Sequence, residues 1–184
     1  MAHQCPWWLG WLLLSPLRKL RQDPHDILSP FVAAGMTALE PGPGMGFFTL
    51  ALARLVGPAG RVVAVDTQPR MLASLRRRAA RRGLDGRIET RLAGDGGLGV
   101  GDLAGRVDFA LAFAMVHEVP DPVRFFAEVA AALKPGARVL LAEPRGHVTT
   151  SAFEATLALA VACGLEVVGR PTIAASRTAV LAKR

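Results

Sequence analysis

The sequence predicts a doubly wound α/β fold, a mostly parallel seven-stranded sheet that closes on an antiparallel C-terminal hairpin and is preceded by short N-terminal helices. Three observations predict it. From residue 36 onward, short apolar runs alternate with stretches of helical period, the pattern of a parallel sheet covered on both faces. The helical stretches are bounded by capping residues followed by proline at their starts and by glycine at their ends. The last two apolar runs, 165–168 and 178–182, have no helix between them and read as a hairpin edge.

Each element follows from its own residues. Residues 36–40 form a short apolar run ending in a Pro/Gly cluster, a buried strand. Residues 47–56 carry apolar side chains at helical spacing and stop at Gly57-Pro58. The run RVVAV at 61–65 is a second strand ended by Asp66. Pro69 opens a helix with Met71, Leu72, Leu75 and Ala79 on one face and Arg70, Arg77, Arg78 and Arg81 mostly on the other; Gly83 ends it. Residues 87–92 alternate as a third strand, and glycine-rich 94–101 is a loop. VDFALAFA at 107–114 is the fourth strand. Asp121-Pro122 starts a helix bearing Phe125, Phe126, Val129 and Leu133, stopped by Lys134-Pro135-Gly136. RVLLA at 138–142 is the fifth strand, and 150–163 is a helix ended by Gly164.

Two parts are expected: a helical leader over 1–35 and a sheet domain over 36–184. The leader holds all three tryptophans, Trp7, Trp8 and Trp11, with helix starts at Ser15-Pro16 and Asp23-Pro24. The chain has 184 residues, 51% of them hydrophobic and 20% charged, which excludes a disordered polymer. No apolar run reaches the roughly 18 residues of a membrane span. The run at 5–14 lacks the basic start and small-residue cleavage site of a secretion signal, so it reads as mature protein. Two cysteines, Cys5 and Cys163, make no disulfide framework and suit a reducing cytoplasm. His3 and Cys5 are too few for a structural zinc site, so no metal is expected. The net charge of +7 comes from arginine, since only Lys19, Lys134 and Lys183 are lysines.

The sharpest motif is Glu40-Pro41-Gly42-Pro43-Gly44-Met45-Gly46, after a strand and before a helix. Glycines there allow a sharp turn and close approach of a ligand to the backbone. The spacing is G-x-G-x-G, and Phe47 stands where the dinucleotide fingerprint needs glycine. Asp66 ends the next strand and has the chemistry to accept both hydroxyl hydrogens of a ribose; its plainer role is a helix cap, which Thr67 or Gln68 can also fill. Gly94-Asp95 follows the third strand, where an acid can accept from an adenine amino group or simply make a turn. Three successive strand ends thus offer a ligand surface where open parallel sheets bind ligands.

In these residues, and in VDFALAFAMVHEVPD (107–121) and LKPGARVLLAE (133–143), the sequence resembles the class I S-adenosylmethionine-dependent methyltransferases, a Rossmann-like family, over about residues 36–184. It is most similar to the small-molecule branch that includes quinone-biosynthesis C-methyltransferases. The resemblance implies S-adenosylmethionine as cofactor. Glu40, Gly42, Pro43, Gly44 and Gly46 would hold its methionine end, Asp66 its ribose and Asp95 its adenine amino group, with Thr67, Gly94 and Ala112 also against the cofactor.

Methyl transfer from a sulfonium needs alignment and water exclusion, and a base only where the acceptor holds its proton firmly. His117, just past the fourth strand, is the candidate base, with Glu118 beside it; the plainer reading makes both a polar connection. Glu143 and His147, past the fifth strand, can line the same crevice, although solvated loop residues are the simpler reading. The tryptophan leader suits a lid that also packs, or peripheral membrane contact next to Arg18, Lys19 and Arg21. The resulting expectation is a cytoplasmic methyltransferase acting on a small molecule, hydrophobic ones included. An RNA methyltransferase using the Arg-rich face and a non-catalytic cofactor-binding module are the alternatives, and nucleic acid is disfavoured by the missing amino-methylation and Pro-Cys motifs. A nicotinamide dehydrogenase is disfavoured by the glycine spacing and the absence of tyrosine. Arsenite chemistry, which draws on several cysteines, fits two poorly.

Overall fold

The computed structural model describes residues 22–94 and 97–184. Five helices, α1 (Pro24–Leu28), α2 (Thr49–Leu55), α3 (Pro69–Ala80), α4 (Pro122–Ala132) and α5 (Thr150–Ala162), flank seven strands among these residues. The strands are β1 (Thr37–Pro41), β2 (Arg61–Asp66), β3 (Ile88–Leu92), β4 (Val107–Phe113), β5 (Leu133–Pro144), β6 (Leu165–Gly169) and β7 (Ser176–Lys183). They form one sheet in the order β3-β2-β1-β4-β5-β7-β6. The first five run parallel, and β7 is antiparallel to both β5 and β6. The expected hairpin is there, with its second strand inserted between β5 and β6.

Strand alternation sorts the core into two layers. Leu39, Val63, Val65, Ala110 and Leu141 pack under α4 and α5 through Phe125, Phe126, Phe153 and Leu157. Ala38, Val62, Ala64, Leu111 and Leu140 pack under α1, α2 and α3 through Leu28, Leu52 and Leu75. The end of the expected leader belongs to this second layer. Asp23 caps α1 by accepting from His25 N–H (2.8 Å), Leu28 and Val32 are buried, and Phe31 stacks on Phe109 with ring centroids 5.9 Å apart. Ser15-Pro16 and the tryptophans lie outside the described residues.

One boundary and one side-chain placement differ from the expectation. Lys134-Pro135-Gly136 does end α4, but β5 begins at Leu133, five residues early, and the β4–β5 register shifts between Val107 and Phe109 to absorb the extra residues. Arg78 is not on the solvent face of α3: its Nη1 donates to the Met45 carbonyl inside the glycine segment. No helix among the described residues is long and apolar enough to cross a membrane.

Candidate active site at the strand ends

The order of strands reverses between β1 and β4, so the crevice opens above the carboxyl ends of β1, β2, β4 and β5. The glycine segment leaves β1 and is tied to β2 by Gly42 N–H donating to Val65 O (2.8 Å). Gly42, Gly44 and Gly46 all have positive φ, at 68°, 55° and 86°. Their surroundings separate their roles. A Cβ on Gly46 would lie 2.4 Å from Leu75 Cδ1, and one on Gly42 would lie 2.9 Å from Met115 Cβ. Gly44 has nothing within 4 Å of that position, so of the three it alone has room for a side chain. Pro43 is buried between them.

Glu40 projects from β1 toward α2 and is only 3% exposed. Burial, reinforced by the negative charge of Asp66, pushes its carboxyl up to about 8. Its Oε2 and the neighbouring Thr49 Oγ1 are buried with no hydrogen-bond partner. Asp66, at the end of β2, accepts from Gly44 N–H (3.2 Å) through Oδ2 and from Gln68 N–H (2.9 Å) through Oδ1. It therefore locks the glycine turn to the start of α3 as well as facing the crevice. Burial raises its carboxyl, and the amides of Gln68 and Gly44 oppose that. Thr67 and Gly94 are exposed beside it. Asp95 lies outside the described residues. Ala112 is 2% exposed, near the end of β4 and in the layer under α4.

The fifth strand corrects the sequence reading most. Glu143 is not a solvated loop residue: it is 2% exposed, on the same sheet face as Val139 and Leu141. Its Oε1 accepts from Val116 N–H (2.8 Å) and His117 N–H (3.3 Å), and its Oε2 lies 2.5 Å from His117 Nδ1. Burial pushes the Glu143 carboxyl up, while the imidazole and the two amides hold it toward the charged form. The chain reaches this arrangement through Ala114, held at φ 56° directly after β4, a left-handed conformation costing a side-chain-bearing residue about 1–2 kcal/mol. A 3₁₀ turn over Val116–Glu118 follows and lays His117 across Glu143. With Nδ1–H donated to the carboxylate, Nε2 carries the lone pair. Glu118 Oε1 is 3.8 Å from Nε2, and the His147 ring is 5.9 Å from the His117 ring, edge to face.

Sequence alone weighed Glu143 as a crevice residue but favoured a solvated loop, and it left Thr49 unassigned. The alternation of β5, with Val139 and Leu141 inward, was the available signal for Glu143. Thr49 offered none, since a threonine opening a helix is ordinary.

Residues 39–141 match the family model described as a methyltransferase domain. Over 112 residues the chain is 33% identical to an arsenite methyltransferase from Halobacterium salinarum, covering 61% of this chain and 28% of that protein. Over 107 residues it is 32% identical to a protein-L-isoaspartate O-methyltransferase from Methanothrix thermoacetophila, covering 58% of this chain and 47% of that protein. The chain thus spans less than half the length of these curated relatives. In fold it resembles a SAM-dependent methyltransferase from Aquifex aeolicus, with a TM-score of 0.85 and 24% identity over 97% of this chain and 98% of that one.

Proposed function

The chain belongs to the methyltransferase-domain family, of the class I S-adenosylmethionine-dependent kind, and from that premise we propose that it transfers a methyl group to a small molecule, hydrophobic ones included, with His117 as general base. One observation carries the cofactor part. The buried, partnerless Glu40 Oε2 lies under the glycine turn opened by Gly44, with Asp66 at the next strand end. Those residues fit the cofactor. A carboxyl raised by burial, with its Oε2 unpartnered, suits an ammonium donor, the backbone of Gly44 suits close approach, and Asp66 has lone pairs left for hydroxyl donors.

S-adenosylmethionine supplies, when bound, an activated methyl on a cationic sulfur. Glu40 charges toward the ammonium end. Asp66 orients the ribose end and keeps the turn closed. His117 Nε2 takes the proton of the acceptor, while Glu143 holds the ring in its Nδ1–H form and stabilises the imidazolium that results. Gly94 and Asp95 remain assigned to the adenine end, Glu118 to the base and Thr67 to the ribose. The leader with Trp7, Trp8 and Trp11 is assigned the apolar cover of the acceptor. Its described end docks at the top of the sheet, where Gln22 Nε2 donates to Ala174 O (2.7 Å).

The His117–Glu143 pair favours catalysis over mere cofactor holding. Cys163 caps the end of α5 and its Sγ donates to Val123 O (3.5 Å); a chain with two cysteines does not favour arsenite. Calorimetry tests the reading: S-adenosylhomocysteine should bind, and Asp66→Ala should weaken it by about tenfold or more for the loss of hydrogen bonds to a charged group. Binding of NAD without response to the sulfur ligand would sink it.

A further inference from the structure

Arg145, Arg170 and Arg177 line a single depression at the upper end of the sheet, between the start of α5 and the connection from β6 to β7, together with Thr150 and Thr172. The three arginines are not alike. Arg170 is neutralised by Glu154, with Nη1 and Nη2 at 2.8 and 2.9 Å from the two carboxylate oxygens. Arg145 and Arg177 have no carboxylate within ion-pair distance among the described residues. Each uses only its Nε–H, and on a backbone carbonyl: Arg145 on Ser176 O (3.0 Å), Arg177 on Val148 O (2.8 Å). One hydrogen bond therefore fixes the direction of each side chain and leaves its terminal N–H groups for something else. Two like charges in one depression repel, and a shared oxyanion removes that repulsion. The guanidinium fork matches carboxylate and phosphate oxygens in pairs.

The depression adjoins the candidate base. Arg177 is the register partner of Glu143 across β5 and β7. Arg145 follows Glu143 by two residues, at most about 7 Å of chain. His147, in the same connection, faces His117. We propose that Arg145 and Arg177 seat an anionic group, a carboxylate or a phosphate, carried by the methyl acceptor, so that the rest of the acceptor reaches toward His117. This rests on the methyltransferase reading for the word acceptor. The anion seat itself does not.

The test uses the full chain and needs no knowledge of the acceptor. Benzoate, phenyl phosphate and inorganic phosphate are titrated, with neutral benzamide as control, while the Arg Nε–H and histidine ring signals are followed by NMR. Benzoate or phenyl phosphate should saturate the Arg145 and Arg177 Nε–H shifts and move the His147 and His117 rings. Arg145→Gln and Arg177→Gln should each weaken that binding by about tenfold or more, the worth of a charge-assisted hydrogen bond. Arg81→Gln, at the C-cap of α3, should leave it unchanged. Circular dichroism separates misfolding from lost binding, and the wild-type titration is decisive whatever the variants do. Shifts that do not saturate, equal binding in all three variants, binding of inorganic phosphate alone, or arginine shifts without histidine shifts each overturn the proposal. S-adenosylhomocysteine calorimetry on the same samples keeps the two readings apart: its failure removes the methyltransferase reading and leaves the anion seat standing.

Discussion

Glu40→Gln should make the cofactor-free protein more stable at neutral pH while weakening its hold on the cofactor. The Glu40 carboxyl goes from its ordinary 4.5 in the unfolded chain to about 8 in the fold. An acid raised by folding binds its proton more tightly in the native state, so its contribution to stability is complete below about pH 4.5. It is lost as pH rises, and the loss levels off above about pH 8. At about 1.36 kcal/mol per unit, the wild type should lose roughly 3 kcal/mol between pH 5 and pH 8 that the glutamine variant keeps. For a chain of this size that is a difference of roughly 6–12 °C in midpoint at the alkaline end. Glu143 is also raised by burial, but both proteins carry it, so its slope cancels in the comparison, whereas Asp66 is coupled to Glu40 and its own contribution shifts with the substitution. Thermal and urea unfolding from pH 5 to 9 would measure it. Parallel pH curves for the two proteins would refute the reasoning, because they would mean that Glu40 is already charged and partnered. A second readout is proton release. S-adenosylhomocysteine binding at pH 7, measured in buffers of different ionisation enthalpy, should expel close to one proton from the wild type and none from the variant.

The glycine turn separates packing from ligand access. Gly46→Ala meets Leu75 Cδ1 at 2.4 Å and strains a positive φ, and should lower stability by about 2–4 kcal/mol in urea unfolding. Gly44→Ala has open space, so about 1–2 kcal/mol of backbone strain is the expected loss, with cofactor affinity falling far more than stability. His117→Ala should reduce turnover by about 10²–10⁴-fold without changing S-adenosylhomocysteine affinity, once an acceptor has been found by product release. Glu143→Gln should shift the pH profile of the same reaction, since it removes the charge that stabilises the imidazolium. Equal profiles would reduce Glu143 to a strut for the Val116 and His117 amides.

Much of this was legible in the sequence because its determinants are local. The strands from 36 to 142 announce themselves as apolar runs, and α4 begins at Asp121-Pro122, where Asp121 Oδ1 accepts from Arg124 N–H at 2.9 Å. The glycine turn is a statement about φ, which glycine spacing reveals directly. What stayed hidden depends on partners distant in sequence. Glu143 and His117 are 26 residues apart and meet because β4 and β5 are neighbours in the sheet. Arg78 reads as one more charge on a basic helix until the fold brings Met45 within its reach.

The parity of β4 and β5 also accounts for how one sheet edge serves both parts of the proposed mechanism. Glu40 and Asp66 leave their strands on the α1–α3 side, beside the turn whose backbone they brace. Glu143 leaves β5 on the α4–α5 side, with Arg177 opposite it in register. In the proposed mechanism the ends of neighbouring parallel strands divide the crevice into a cofactor half and an acceptor half, and the reversal of strand order between β1 and β4 falls at their boundary. The left-handed Ala114 sits at that boundary. It turns the chain off β4 so that Met115 closes on Gly42 in the first half, and His117 closes on Glu143 in the second. A backbone strain of about 1–2 kcal/mol persists where surrounding contacts fix the conformation, and here contacts from both halves do so.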